Sequence, residues 1–259
     1  MELLTSIKKR VLHLTLNRPD KRNALTAAMC AEIVDQVESA QEDPNIGSIL
    51  ICANGSVFCA GMDLDETGPD GPELEILHEK LFTMGIRSLK PIVVGVSGAS
   101  LGGGRGLVAQ GDVVFCSDKA VFGLPEIRIG LFPFYIYRSV EAAIGNRTTL
   151  QAALTGHLFH PDDAVQWGLV HRICPAVELG DRVKVMAREL AKASPDAIKA
   201  GLEYVKRSRG LDLVEAGKLA SELRGRVLKG ADFKEGVAAF KDKREPHWPG
   251  MPPGFYDQN

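Results

Sequence analysis

Three consecutive glycines lie in the stretch Ser97-Gly98-Ala99-Ser100-Leu101-Gly102-Gly103-Gly104-Arg105-Gly106. The apolar residues 92–96 precede it and the apolar residues 107–109 follow it, so the stretch is predicted to join a strand to a helix. Glycine allows the backbone to turn sharply at such a junction. The first N–H groups of a helix have no partner inside that helix. We therefore expect main-chain N–H donors to be exposed here.

A second glycine motif, Phe58-Cys59-Ala60-Gly61-Met62-Asp63-Leu64, lies about forty residues earlier. Two N–H donors from separate loops that point at one carbonyl oxygen form an oxyanion hole. The predicted donors are Met62 and Gly103, the latter at the positive end of a helix dipole. A lone triple glycine is also found where a strand and a helix merely pack closely. The two motifs together predict an enzyme that forms enolates or tetrahedral adducts.

An enolate also requires a base, and the best candidate is Glu126 in the segment Phe122-Gly123-Leu124-Pro125-Glu126-Ile127. Its apolar neighbours should raise the pKa of the carboxyl toward neutrality. Two other interpretations remain open, namely a solvated glutamate in a turn and an ion-pair partner for Arg128.

Composition excludes several other classes of protein. The chain has 259 residues and a net charge of −2, without a basic cluster, so a nucleic-acid partner is not expected. No signal peptide and no membrane span is predicted. The five scattered cysteines indicate reduced thiols in the cytoplasm. Cys59 is interpreted as buried filler and not as a nucleophile. The histidines lack metal-ligand spacing and are interpreted as core or surface residues.

The chain alternates predicted strands and helices up to about residue 195, which favours an α/β fold. Thr26 is the expected N-cap of the first helix. The polar residues 65–72 have the composition of a mobile lid. Beyond residue 195 only helices are predicted, with N-caps at Asp212 and Asp232. Residues 1–195 are therefore expected to form the core and residues 196–259 a helical region that docks on that core or on a neighbouring subunit.

In its motifs the chain resembles the enoyl-CoA hydratase/isomerase family, the crotonase superfamily, over nearly its whole length. Besides the segments quoted above, the resemblance rests on Leu16-Asn17-Arg18-Pro19, Asn23-Ala24-Leu25, Gly130, Leu154-Thr155-Gly156, Ala164, Gly168-Leu169-Val170, Phe240-Lys241-Asp242-Lys243-Arg244 and Pro246.

This resemblance implies a spiral of ββα units with a C-terminal helical region that builds trimers, often paired into hexamers. It implies an acyl-CoA thioester as substrate, with no cofactor besides the CoA of that substrate. The residues expected to approach CoA are Arg22, Ala24, Ala60, Asp63 and Leu64, and, across a subunit boundary, Phe240 and Lys243.

Two departures from the family pattern bear on the reaction. Hydratases of this family carry a glutamate where this chain has Gly106, whereas the second glutamate is kept as Glu126. A single carboxylate suits proton transfer between two carbons better than addition of water. The aromatic-rich residues 131–137 stand where many relatives have a glycine-rich stretch, and Phe134 and Tyr135 are expected to shape the acyl pocket.

The leading hypothesis is double-bond isomerisation of an enoyl-CoA, with Met62 and Gly103 as oxyanion donors and Glu126 as proton shuttle. Three alternatives are kept: a hydratase with a different second acid, an acyl-CoA decarboxylase, and a family member that binds acyl-CoA or a protein without catalysis.

Overall fold

A computed structural model describes residues 1–66 and 71–256. The described residues form ten strands in two sheets. In chain order the strands are β1 (Leu3–Lys8), β2 (Val11–Leu16), β3 (Ser48–Ala53), β4 (Val57–Cys59), β5 (Ile92–Val96), β6 (Ala99–Leu101), β7 (Val113–Ser117), β8 (Val121–Gly123), β9 (Leu158–Phe159) and β10 (Arg172–Cys174).

The helices cover both faces of the larger sheet and supply most of the C-terminal third of the described chain. They are α1 (Ala27–Glu42), α2 (Pro72–Arg87), α3 (Gly103–Val108), α4 (Phe134–Ile144), α5 (Asn146–Thr155), α6 (Pro161–Gln166), α7 (Ala176–Lys192), α8 (Pro195–Arg207), α9 (Leu213–Lys229) and α10 (Ala231–Asp242). Short 3-10 turns occupy Pro19–Lys21 and Pro125–Ile129.

The larger sheet has the order β1-β2-β3-β5-β7-β10, and all its strand pairs except β1–β2 are parallel. The smaller sheet has the order β4-β6-β8-β9, with only β9 antiparallel to its neighbour. Along the chain, β3-β4-α2 and β5-β6-α3 each place one strand in each sheet before a helix. The expected spiral of ββα units is therefore confirmed.

Side chains along the central strands point alternately to the two faces of the larger sheet, and the core therefore has two layers. In β5, Ile92, Val94 and Val96 face the main core, whereas Val93 faces the opposite side. Val93 packs in a second cluster with apolar residues of α7, such as Val183. Successive strand residues point to opposite faces of a sheet, so a strand buried on both faces is apolar throughout.

The predicted N-caps have different outcomes. The side chains of Thr26 and Asp212 accept hydrogen bonds from the first turns of α1 and α9, as expected. The prediction for Asp232 is wrong, because α10 has Gly230 as its N-cap. Asp232 instead lies buried in the first turn of α10.

Buried contacts explain this position of Asp232. Its carboxylate accepts hydrogen bonds from Ser194 Oγ at 2.7 Å and from the N–H of Gly250 at 2.8 Å. A buried acceptor requires hydrogen-bond partners, and these two supply them. Through them the carboxylate joins the C-terminal segment to the start of α8.

Within the described ranges, no helix is both long and apolar enough to cross a membrane. Residues 67–70 of the segment predicted to be a lid lie outside the described residues.

Candidate active site

The two glycine motifs meet at the ends of β4 and β6, which are neighbours in the smaller sheet. Gly61 and Gly102 both have positive φ angles, of +112° and +51°, where a side chain would be strained. A Cβ atom placed on Gly61 would lie 3.7 Å from the backbone N of Gly103. A Cβ atom on Gly103 would lie 3.2 Å from Met62 Sδ. The two predicted oxyanion donors thus belong to loops in direct contact.

Backbone hydrogen bonds fix the first of these loops. The N–H of Leu25 donates to the carbonyl of Gly61 at 2.8 Å, and the N–H of Asp63 donates back to the carbonyl of Leu25 at 2.9 Å. Residue Met62 lies between these two bonds, and no hydrogen bond from its N–H is found within the described chain. Gly103 is the first residue of α3, so its N–H has no partner in the helix. Both N–H groups are therefore available to a ligand.

Glu126 lies in the 3-10 turn that follows β8, beside these loops. Its Oε1 would be 3.0 Å from a Cβ atom on Gly102, the residue before Gly103. Its Oε2 is buried and has no hydrogen-bond partner among the residues described. The carboxylate is thus neither a solvated turn residue nor, over those residues, an ion-pair partner of Arg128. This arrangement places a poorly solvated base next to the predicted oxyanion hole.

Burial raises the pKa of Glu126 above its ordinary value. Two smaller effects act in the opposite direction: a hydrogen bond from its own backbone N–H and the attraction of Arg105. The pKa of Glu126 is therefore raised overall, which is the direction expected from its apolar neighbours. A carboxylate with a raised pKa is a stronger base than a solvated one, which suits proton abstraction.

A cavity of about 430 Å³ opens onto Glu126 and the two glycine loops. The described cavity wall is mostly apolar and comes from five regions: residues 25–27, the loop after β4, helix α2, the glycine turn before α3, and residues 125–136. The predicted site residues that line it are Ala60, Met62, Asp63, Leu64, Gly103, Glu126, Phe134 and Tyr135.

The other predicted CoA-contacting residues lie outside this cavity. Arg22 and Ala24 precede Leu25, which does line it. The carbonyl of Arg22 accepts a hydrogen bond from the N–H of Ala60 at 3.0 Å, so the two segments are adjacent. Phe240 and Lys243 lie at the far end of α10, where the side chain of Phe240 is 86% exposed.

Asp63 holds the rim of the cavity in place. Its Oδ2 forms an ion pair with Arg18 Nη1 at 2.8 Å, and both side chains are largely buried. The same Arg18 nitrogen donates to the carbonyl of Ala24 at 2.7 Å. Asp63 Oδ1 accepts a hydrogen bond from the N–H of Asp65, which closes the turn. Arg18 thus joins both segments predicted to contact CoA.

The position of the missing glutamate is filled by other side chains. A Cβ atom on Gly106 would clash with Ile136 Cγ2 and would lie 2.8 Å from Phe82 Cε1. Phe82 and Ile136 are both buried and both line the cavity. Ile136 and Phe82 therefore fill the space that a side chain at residue 106 would occupy.

His78 is a cavity residue that sequence reasoning missed. It is buried, which agrees with the interpretation of the histidines as core or surface residues, and it lies on the cavity wall one helical turn before Phe82. Its ring makes an edge-on contact with Tyr135, with centroids 5.5 Å apart. Its spacing from Leu74, Leu77 and Leu81 on the apolar side of α2 was the available signal.

Cys59 is buried filler, as expected. Burial raises the pKa of its thiol to about 12, so the thiolate is scarce at neutral pH. Its carbonyl and Cβ lie against Gly104, where no side chain would fit.

The chain is similar to known proteins over nearly its whole length. Residues 6–251 match the family model described as enoyl-CoA hydratase/isomerase. A probable mitochondrial enoyl-CoA hydratase of Dictyostelium discoideum is 35% identical, covering 94% of this chain and 89% of that protein. A trans-2-decenoyl-[acyl-carrier-protein] isomerase of Streptococcus mutans is 30% identical, covering 96% and 98%. A crystal structure of a Mycobacterium smegmatis enoyl-CoA hydratase superposes with a TM-score of 0.90 at 28% identity, covering 96% and 99%.

Proposed function

This chain belongs to the enoyl-CoA hydratase/isomerase family, and we propose that within it the protein moves the double bond of an enoyl-CoA thioester. The general activity, that of an acyl-CoA enzyme of the hydratase/isomerase type, follows from the family. The direction and type of reaction are inferred from the site.

In the proposed reaction the thioester oxygen of a 3-enoyl-CoA accepts hydrogen bonds from the N–H groups of Met62 and Gly103. The Glu126 carboxylate removes a proton from C2, and the electrons of that C–H bond pass into a dienolate. The two N–H groups stabilise the negative charge on its oxygen. Glu126 then returns the proton to C4, which leaves the double bond between C2 and C3. No cofactor besides the CoA of the substrate is needed.

One observation carries the proposal: Glu126 lies against the oxyanion loop, while residue 106 is a glycine enclosed by Phe82 and Ile136. Addition of water in this family calls for a second carboxylate at that position, and the packing leaves no room for one. Transfer of a proton between two carbons requires only one base. The cavity therefore favours isomerisation.

The test is to incubate the purified protein separately with a 3-enoyl-CoA and a 2-enoyl-CoA and to identify the products by mass and absorbance. We expect the 3-enoyl-CoA to become an isomer of equal mass that absorbs as a conjugated thioester. With a substrate deuterated at C2, the product should carry deuterium at C4, because one carboxylate carries it from one carbon to the other. A product heavier by one water molecule, formed faster than the isomer, would overturn the proposal.

Hydration is the second candidate, because His78 and Tyr135 bring polar side chains to the same cavity. If one of them orients water, the heavier product dominates and is lost in a His78→Leu or Tyr135→Phe variant. The same product analysis therefore separates the two candidates.

We also propose a homotrimer, alone or paired into a hexamer, that forms through residues 196–259. Exposed apolar side chains on α9 and α10 support it, including Leu213 at 92% and Phe240 at 86% exposure. Such side chains normally pack against a partner. Phe240 and Lys243 would then reach the CoA of a neighbouring subunit. Five free cysteines are consistent with a cytoplasmic enzyme.

A further inference from the structure

Arg105 is a buried cation, and no counter-ion contacts it within the described part of the chain. The residue lies in α3, two positions after Gly103, and is fully buried. None of its three guanidinium nitrogens has a hydrogen-bond partner among the described residues. Its guanidinium lies over the ring of Phe159, 4.4 Å from the ring centroid. A buried charge is costly unless it is paired, so this side chain requires an explanation.

A second buried arginine shows what ordinary compensation looks like in this protein. Arg10 also lies over an aromatic ring, that of Phe255 at 5.5 Å. Its guanidinium donates hydrogen bonds to the carbonyls of Ala191 and Pro44, at 2.9 and 3.1 Å. Arg105 has the ring contact without such acceptors. Packing over an aromatic ring therefore does not account for a charged group at position 105.

The position of Arg105 relates it to Glu126. A Cβ atom on Gly102 would lie 3.0 Å from Glu126 Oε1. Arg105 follows Gly102 by three residues, about 4.5 Å further along the helix axis. The Phe159 ring beneath Arg105 stacks on Phe122, in the strand that leads to Glu126. The two buried ionisable groups are thus packed around the same end of β8, and each has polar atoms without a hydrogen-bond partner.

The other charged or titratable groups near the cavity do not provide this compensation. Arg128, on the turn of Glu126 itself, is exposed, and Asp63 is paired with Arg18. The remaining three are Glu66 after β4, His78 on α2 and Tyr135 on α4. Among the charged side chains of residues 1–66 and 71–256, only that of Arg105 is found to favour ionised Glu126, and only that of Glu126 is found to act on Arg105. Burial lowers the pKa of Arg105 to about 9, so it remains a cation at neutral pH.

We propose that Arg105 is a positioning residue whose buried positive charge keeps the Glu126 carboxylate ionised and therefore able to act as a base. This inference rests on the proposed role of Glu126. It assigns a function to the charged residue inside the triple-glycine motif, which the oxyanion hole itself does not use.

The test compares Arg105→Met, which removes the charge, with Arg105→Lys, which keeps it. The control is Arg10→Met, which removes the other buried arginine. The first readout is the pH titration of the Glu126 side-chain carboxyl in protein without substrate, followed by carbon NMR and assigned with Glu126→Gln. The second is the acid limb of the pH profile of kcat/KM for isomerisation.

In Arg105→Met both midpoints should move to higher pH by about one unit or more, because a cation that favours the ionised form has been lost. Arg105→Lys should restore most of the shift, and Arg10→Met should lower the Tm without moving either midpoint. Unchanged midpoints in folded Arg105→Met would overturn the proposal. If that variant does not fold, Arg105→Gln is judged by the same criterion.

The two readouts separate this inference from the proposed function. The carboxyl titration needs no turnover, so it reports on Arg105 even if the reaction is not isomerisation. Full activity in Glu126→Gln would reject the proposed function, whereas an unchanged titration in the Arg105 variants would reject only the inference.

Discussion

The Phe82 ring occupies the space beside Gly106: a Cβ atom at residue 106 would lie 2.8 Å from Phe82 Cε1. Residue 106 is the position at which the hydratase pattern has a glutamate, and Phe82 approaches it from a different helix, α2. Because Ile136 approaches from α4 as well, the cavity wall is closed at this point by three elements. The departure from the hydratase pattern at residue 106 is therefore accompanied by close packing of two other side chains and does not rest on one substituted residue.

Gly106→Ala should lower the free energy of unfolding by about 1–3 kcal/mol, since the added methyl group overpacks this wall. The measurement is chemical denaturation. The matched control is Gly180→Ala, at an exposed position of α7 where an added Cβ meets nothing within 4 Å. There, alanine should stabilise the helix by roughly 0.5–1 kcal/mol. Equal effects of the two changes would contradict the packing argument.

Glu126→Gln should reduce kcat by about 100-fold or more, because the base is lost, while affinity for a non-reactive acyl-CoA changes little. The same variant should be more stable than the wild type at neutral pH. The pKa of Glu126 is raised in the folded state, so the ionised carboxylate destabilises the fold above that pKa. The gain in Tm should therefore shrink on acidification and vanish below the unfolded pKa, where both states are protonated.

The control for this comparison is Glu189→Gln on the exposed side of α7. This change should barely alter the Tm, at neutral pH or in acid. A Glu126→Gln variant that is less stable than the wild type at neutral pH would argue against a poorly solvated carboxylate.

Cys59 should resist alkylation in the folded protein, and iodoacetamide should leave isomerase activity intact. The thiol is buried and its pKa is raised to about 12, so reactive thiolate is scarce. Peptide mass analysis after labelling measures this. Unfolded protein is the control and should be labelled at all five cysteines. Rapid labelling of Cys59 with loss of activity would reopen the nucleophile interpretation.

Arg18→Ala should raise KM for the CoA thioester more than it lowers kcat, because Arg18 holds Asp63 and the carbonyl of Ala24 at the rim of the cavity. Lys21→Ala is the control, since its ion pair with Asp65 is 3.8 Å long and exposed. Steady-state kinetics of both variants provide the measurement. A larger loss in kcat than in KM for Arg18→Ala would place its role in the chemistry and not in binding.

The Arg18–Asp63 contact also has a pH signature. The hydrogen bond from Arg18, with a second one from the N–H of Asp65, lowers the pKa of Asp63. The contact therefore stabilises the fold above the unfolded pKa of Asp63, and this stabilisation is lost as the pH falls through the lower folded value. Thermal unfolding of wild type and Asp63→Asn should converge in acid. A constant difference in Tm at all pH values would contradict this.

Local sequence patterns predicted much of the fold. The apolar residues 92–96 gave β5 with the bounds observed, and the side chains of Thr26 and Asp212 marked helix starts. These signals depend on nearby residues only. The N-cap predicted at Asp232 failed because Ser194 and Gly250, distant in sequence, offer that carboxylate buried partners. Local capping rules do not include such partners.

The sequence by itself determined the two glycine turns, the candidate base Glu126 and the glycine at residue 106. Each of these depends only on the amino-acid type at a given position. Only the tertiary structure decided that Phe82 and Ile136 close the wall at Gly106 and that His78 faces the cavity. It also decided that Arg105 is buried near Glu126, with no hydrogen-bond partner for its guanidinium among residues 1–66 and 71–256. These relations join segments far apart in the chain. They depend on how the two sheets and their helices pack. A local pattern of residues does not show which distant segments will be neighbours.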